Sequence, residues 1–360
     1  MNIVSLEKTS NVPDGEEAPP QKLRLGVVPL GLRQSLLSLA LGLIMSLVVI
    51  VAIADNPYAA ARSFILGSFE NKYSFGTMIA IATVLGITGI GSAVGFKAGA
   101  FNIGTEGQLL VGGLASALVA LYLPGQGGFV VILALLAASV MGALWILVPA
   151  LLRIIFETSE LLTTLMMNYV ASTLTSFLVV RYFRSPESGS VETSAIAPER
   201  WLPRWFPPSN ANLGVVLMVA IAGGIWFWLT RTKSGMRLQV TGLQPAFTQY
   251  LGLPYRRILL SAMLINGALC GLAGGVAILG ISHAYLEGFS PQYGFLGITV
   301  ALIGRLNPMG VVAAAFLYAA LMTGATAMQV TSNVPFALVY IVQGAVILMI
   351  TSRRFGRISR

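Results

Sequence analysis

Residues 98 to 113, Ala-Gly-Ala-Phe-Asn-Ile-Gly-Thr-Glu-Gly-Gln-Leu-Leu-Val-Gly-Gly, set Asn102, Glu106 and Gln108 among glycines inside a run otherwise apolar enough to cross a membrane. A soluble core hides one such carboxylate cheaply, but a lipid-facing helix does not. An ionisable side chain at mid-membrane costs about 2.5 to 3.5 kcal/mol on insertion scales, so Glu106 has to face protein or water. The rest of the chain makes lipid its solvent. Of 360 residues 56% are hydrophobic and 10% charged, against roughly 25% charged in ordinary soluble domains, and the mean hydropathy is +0.81. Several apolar runs reach the length of about 20 residues that spans the hydrocarbon core as helix. The fold class that follows is an all-α polytopic membrane bundle.

Outward from this stretch, ten candidate spans follow the apolar runs: 36–54, 75–96, 98–122, 128–150, 159–181, 213–230, 258–280, 292–304, 309–328 and 335–351. The eighth is too short to cross without tilt, local thinning or an irregular stretch. Ala52-Ile53-Ala54 imitates a signal-peptidase site, but a long polar tail precedes the run and more spans follow it, so it reads as an uncleaved first helix. Residues 1–31 read as a disordered tail, 32–352 as the membrane domain and 353–360 as a basic tail. With ten crossings both termini share one side. Placing them in the cytoplasm puts Lys97, Arg153, Arg231, Lys233, Arg237, Arg256, Arg257 and Arg305 inside, whereas Arg62, Lys72, Arg181, Arg184, Arg200 and Arg204 outside are interspersed with acids. The net charge of +9 is thereby a matter of topology, not of nucleic-acid binding, because the basic residues are scattered over loop ends.

Two segments outside the membrane stand out. Residues 182–212, on the outside, are rich in Pro and Ser and carry Trp201, Trp205 and Phe206, which suit the headgroup zone or contact with a partner protein. Residues 231–257, inside, are basic, with a helical-looking stretch near Gln244 to Leu251. Spans two to five and seven to ten form two four-span blocks of opposite orientation, the pattern of inverted repeats in transporters. Ser290-Pro-Gln-Tyr-Gly-Phe-Leu-Gly echoes the polar, glycine-bearing start of the third span.

Glu106 has two readings: a carboxylate bonded to freed backbone donors at a broken helix start, or one that lines a solute path. Glu160, Thr164 and Asn168, at i, i+4 and i+8, form a polar stripe that faces a neighbouring helix or the path. Asn266, with His283, Tyr285, Glu287 and Gln292 near the outer end of that span, would read a polar solute. The chain has one His, no metal-ligand cluster and no nucleophile with an evident base, so a membrane enzyme is disfavoured. It also lacks a GxxxxGK[ST] loop, so any ATP coupling must come from a partner. Its single cysteine, Cys270, cannot form an internal disulfide.

Gly95 to Gln108, Glu160 to Tyr169 and Gly242 to Leu253 together resemble the permease subunits of bacterial nucleoside and simple-sugar ABC importers, within the wider ribose and branched-chain amino acid permease group. The resemblance covers about residues 35–352. It implies a transport subunit of the bacterial inner membrane without cofactor or metal of its own. Its implied partners are a cytoplasmic ATP-binding protein with two cassettes, a second permease, paralogous to this one, and an extracytoplasmic solute-binding protein. It further implies that Phe101, Asn102, Glu106, Gln108, Glu160, Thr164, Asn168 and Asn266 line the path, and that Gly242, Ala246 and Gly252 belong to the loop that docks on the ATPase. Phe247, Thr248 and Gln249 depart from the small or charged residues of that loop. The rival readings are an ion-coupled secondary transporter using Glu106 and a channel-like or scaffolding subunit.

Overall fold

A computed structural model describes residues 56–332 apart from 126, 187 and 206, together with the isolated positions 44, 48, 51, 54 and 344. The expected first and tenth spans, 36–54 and 335–351, both tails, Glu187 and Phe206 therefore lie outside the described residues, save those isolated positions. The described residues form eleven α-helices. Helix α1, Pro57–Leu66, begins where Asn56 accepts a hydrogen bond from the Ala59 N–H and Pro57 supplies a helical φ. Helix α2, Lys72–Lys97, is capped by Asn71, which accepts from Ser74 at 2.7 Å. There follow α3 (Thr105–Tyr122), α4 (Gly127–Phe156) and α5 (Glu160–Leu178), the last prolonged by a π-helical turn, Val179–Phe183. The second half holds α6 (Gly214–Arg231), α7 (Lys233–Leu243), α8 (Pro245–Tyr250) and α9 (Tyr255–Ala277), which a π-helical turn extends to Ser282. Helices α10 (Tyr293–Ile303) and α11 (Pro308–Ser332) complete it.

Seven of these are long and apolar enough to cross a membrane: α2, α3, α4, α5, α6, α9 and α11. They coincide with seven of the ten expected spans. Helix α10 answers the short eighth span, and its eleven residues extend about 16 Å, half the hydrocarbon thickness. It starts after an irregular stretch at 283–292, against the start of α3. The third span differs from its expected length: 98–104 is not helical, and α3 begins at Thr105. Three helices, α1, α7 and α8, have no counterpart among the expected spans: α1 is only ten residues long, α7 is amphipathic rather than apolar, and α8 is the short helical stretch expected near Gln244 to Leu251.

The central element is α2, whose most apolar window is 83% buried, against 28% for α5 and α6. It packs against α6, α9, α10 and α11. Inside this enclosed helix Thr83, Thr88 and Ser92 each donate to the carbonyl four residues back, whereas Thr77 Oγ1 is buried without a partner. Helices α3, α4 and α9 cross through glycines. A Cβ on Gly112 would stand 2.4 Å from the Cα of Gly271, and one on Gly142 would stand 2.2 Å from the Gly267 carbonyl oxygen, so the backbones themselves are in contact.

The loop after α5 lies along 279–287. Thr193 donates from its N–H to Tyr285, Ile196 to His283 and Leu202 to Leu279, while Glu287 donates to Val191. Trp201 is half-buried. Its ring stacks on His283 with centroids 3.8 Å apart, and the Arg204 guanidinium lies 4.5 Å from the same ring. Trp205 is exposed.

Candidate functional site

Two helices start inside the bundle, and each start is capped by a side chain from another part of the chain. The first start follows the end of α2. Ala100 donates to the Gly95 carbonyl and Gly99 to Phe96, with Gly99 at φ +81°. These are the two bonds of a Schellman turn, which requires a left-handed residue at the position Gly99 fills. The chain then runs unwound to Thr105, leaving backbone donors without helical partners.

The stripe on α5 takes up those donors in order. Glu160 Oε1 accepts from Phe101 N at 2.6 Å, Thr164 Oγ1 from Ile103 N at 3.2 Å, and Asn168 Oδ1 from Gly107 N at 2.8 Å. Asn168 Nδ2 also donates to the Ile103 carbonyl at 2.9 Å. One turn of α5 thus matches about two residues of unwound chain, which is why the polar residues recur every fourth position. Asn102 closes a local turn by accepting from Gly104 N at 2.7 Å, and its amide donates to Gln108 Oε1 at 3.3 Å. Since Gly104 offers α3 no side-chain cap, Asn168 caps it in trans.

Glu106 performs the reciprocal service. Helix α10 has no cap from Gln292; instead Tyr293 N donates to Ser290 Oγ at 3.0 Å, and Gly294 N donates to Glu106 Oε2 at 2.6 Å. The Ser290 side chain sits beside the same carboxylate. A Cβ on Gly294 would fall 2.3 Å from the Glu106 nitrogen, so the two helix starts touch. An acceptor between two helix N-termini is favourably placed for both macrodipoles. The sequence echo joins the same two segments, Ser290 to Gly297 and the start of α3, but does not identify Gly294 as the partner.

All of the expected path residues but one are enclosed: Asn102, Glu106, Gln108, Glu160, Thr164, Asn168 and Asn266 are buried. Phe101 is the exception, 45% exposed and stacked on Phe96 at 4.3 Å. Asn266 lies apart from the stripe, against Gly91 and Gly95 of α2. It accepts from Cys270 Sγ at 3.2 Å, and its Nδ2 has no partner. The face of α5 opposite the stripe is exposed, at Leu162, Met166, Tyr169 and Val170. His283, Tyr285 and Glu287 are drawn into the outer loop contacts: Arg204 Nη2 meets His283 Nε2, and Ser176 donates to Glu287 at 2.7 Å. Burial first, and then the Arg204 charge, push the His283 pKa down to about 4. It is therefore a neutral acceptor for that guanidinium at ordinary pH. Among the described residues no group of three or more His, Cys, Asp or Glu is arranged to hold a metal ion.

The loop at 231–257 reaches this site directly. A Cβ on Gly242, near the end of α7, would stand 2.1 Å from the Lys97 carbonyl oxygen and 2.8 Å from the Gly99 nitrogen, so α7 rests on the Schellman turn. Lys97 Nζ donates to Gln239 Oε1 at 3.3 Å, and Gln239 in turn donates to Leu229 at 2.7 Å. Ala246 lies on exposed α8, and Gly252 takes φ +66° in the turn beyond it. Of the three departures in this loop, Thr248 is buried and bonded to Gln244, whereas Phe247 and Gln249 face outward.

Residues 74–351 match the family described as the branched-chain amino acid transport system permease component. The chain is 34% identical to the guanosine ABC transporter permease NupP of Bacillus subtilis, over 88% of this chain and 91% of that protein. It is 32% identical to the glucose ABC transporter permease TsgB13 of Haloferax volcanii, over 86% of this chain and 84% of that one. A second guanosine permease of the same Bacillus, NupQ, is 26% identical over 66% of this chain and 76% of its own length.

Proposed function

The chain belongs to the branched-chain amino acid transport permease family and is a membrane permease subunit of an ABC importer, and from that premise we propose that its solute is a nucleoside. Support comes from the sequence from Gly95 to Gln108, and from the likeness to a guanosine permease over nearly the whole chain. A simple sugar is the second reading, favoured by the likeness to a glucose permease at nearly the same identity. As a multi-pass subunit it transports and does not catalyse. The proposed assembly contains a two-cassette ATP-binding protein, an extracytoplasmic binding protein and a second permease. That the second permease is a paralogue accords with the match to both NupP and NupQ. We place the assembly in the bacterial inner membrane with both termini cytoplasmic.

The observation that carries the mechanism is the seat of Gly242 on residues 97–99. Leu243, Phe247, Tyr250 and Leu251 are exposed on that loop, an apolar surface for the ATPase to grip. Movement of the loop passes through Gly242 to the Schellman turn and from there to Phe101. The α5 stripe and Glu106 keep both helix starts rigid during this movement. Phe101, exposed beside the unwound segment, meets the solute by stacking on a base or sugar face. A neutral solute needs no tightly bound charge on its way, and weak contacts favour release.

Glu106 is engaged by backbone N–H and enclosed in protein, which suits a cap better than a proton relay. Co-purification of the chain with its ATPase, together with ATP-dependent uptake, tests this. The proposal predicts that both are lost together on replacing the exposed Phe247 and Tyr250 by Asp. Uptake by this chain alone would refute it.

A further inference from the structure

A second polar site lies at the cytoplasmic end of the bundle, next to Glu160, the residue of the α5 stripe that holds Phe101 N. There the last turn of α4, helix α8 and the first turn of α9 enclose a cavity of about 750 Å³. Three arginines, Arg153, Arg256 and Arg257, line it against one carboxylate, Glu157. Arg153 is in part committed to Glu160, at 3.9 Å. Arg256 and Arg257 have no ion-pair partner among the described residues. The floor is apolar, with Ile154 and Leu259. The cavity sits where Leu151 and Ile155 of α4, both exposed, end the lipid-facing surface. On the proposed topology this end of α4 reaches the cytoplasmic headgroups.

Unpaired guanidiniums above an apolar floor, at headgroup depth, match a phosphate group attached to acyl chains. We propose that this cavity binds the phosphate of an anionic phospholipid of the inner leaflet. The chains would lie along α4, and the headgroup would contact Arg256 and Arg257. Since Gln249 of α8 forms part of the wall, an occupied site would brace the loop that carries Gly242. This site is independent of which solute the importer carries.

The test is a titration of the purified importer in detergent with short-chain phosphatidylglycerol, read as a shift in thermal unfolding, with short-chain phosphatidylcholine in parallel. Phosphatidylglycerol should bind and phosphatidylcholine should not. Replacing both residues, R256Q/R257Q, should weaken phosphatidylglycerol binding about 30-fold, each charge near the surface contributing about fivefold. The R256K/R257K pair should keep most of the affinity, and R256Q alone should show the single step if the double variant does not assemble. Inorganic phosphate in phosphatidylcholine micelles separates the sources. If it alone reproduces the shift, the phosphate chemistry stands and the lipid source is overturned. Equal phosphatidylglycerol affinity in R256Q/R257Q and the parent would overturn the site itself, as would loss of the ATPase from that variant with lipid binding unchanged.

Discussion

Replacing Glu106 by Ala removes the acceptor of the Gly294 N–H and the only side-chain cap that α10 receives from another helix. A buried donor left without a partner costs about 1 to 3 kcal/mol. Loss of an acid from two touching helix N-termini costs about 0.3 to 1 kcal/mol at each. Together the substitution should destabilise the chain by about 3 kcal/mol. Glu106→Gln keeps an acceptor of the same reach and loses only the charge-assisted part, about 1 kcal/mol. The order of stability should therefore be Glu, then Gln, then Ala. Chemical unfolding of the purified importer measures the order, and uptake in vesicles from the same preparations tells whether transport follows it. A Glu106→Ala variant as stable as the parent would refute the capping argument. So would a Gln variant that folds like the parent yet loses uptake entirely, because that pattern belongs to a carboxylate acting by proton transfer.

Asn168→Ala strips α3 of its cap and frees the Ile103 carbonyl, two bonds together worth about 2 kcal/mol. Hydrogen exchange over 101–107 should rise while the rest of α5 stays protected. Gly242→Ala should leave the membrane bundle folded but force α7 off the Schellman turn, so that ATP hydrolysis by the assembled importer continues with uptake reduced at least tenfold. A reduction in both to the same degree would argue against this uncoupling. The outer loop should be sensitive to acid. His283 titrates near 4 in the folded chain against its ordinary value of 6.5, so below 6.5 the unfolded chain takes up a proton that the folded chain refuses. Stability is then fully present above about pH 6.5 and declines as the pH falls toward 4. His283→Gln should flatten the thermal-unfolding profile across that window. Gly271→Ala would press a methyl to 2.2 Å from the Ala138 carbonyl oxygen, parting α4 from α9, and should abolish stable expression.

The sequence spoke most clearly where one physical rule acted alone. Apolar length sufficed for α2, α4, α6, α9 and α11, because a membrane span has few other solutions. The four-residue recurrence of Glu160, Thr164 and Asn168 marked a buried stripe, but periodicity gives the face of a helix and not what it touches. Only the fold reveals that the stripe answers the backbone of 101–107. Glu106 was legible as a carboxylate in need of a partner. Gly294 was not legible as that partner, since a backbone N–H 188 positions away leaves no mark in residue type. Helix α7 escaped notice because an amphipathic eleven-residue segment at a basic loop looks like the loop itself. Its glycine contact with 97–99 depends on two backbones approaching, which the presence of Gly242 permits but does not announce.

The central claim is that this chain moves a nucleoside only as part of an ATP-driven assembly. Uptake of a labelled nucleoside into proteoliposomes, by the chain with its partner permease, ATPase and binding protein, tests it most directly. The account predicts uptake that requires ATP inside the vesicles, survives an uncoupler, and is displaced by unlabelled nucleosides but not by pentoses. Uptake by the chain alone that collapses under an uncoupler would contradict it.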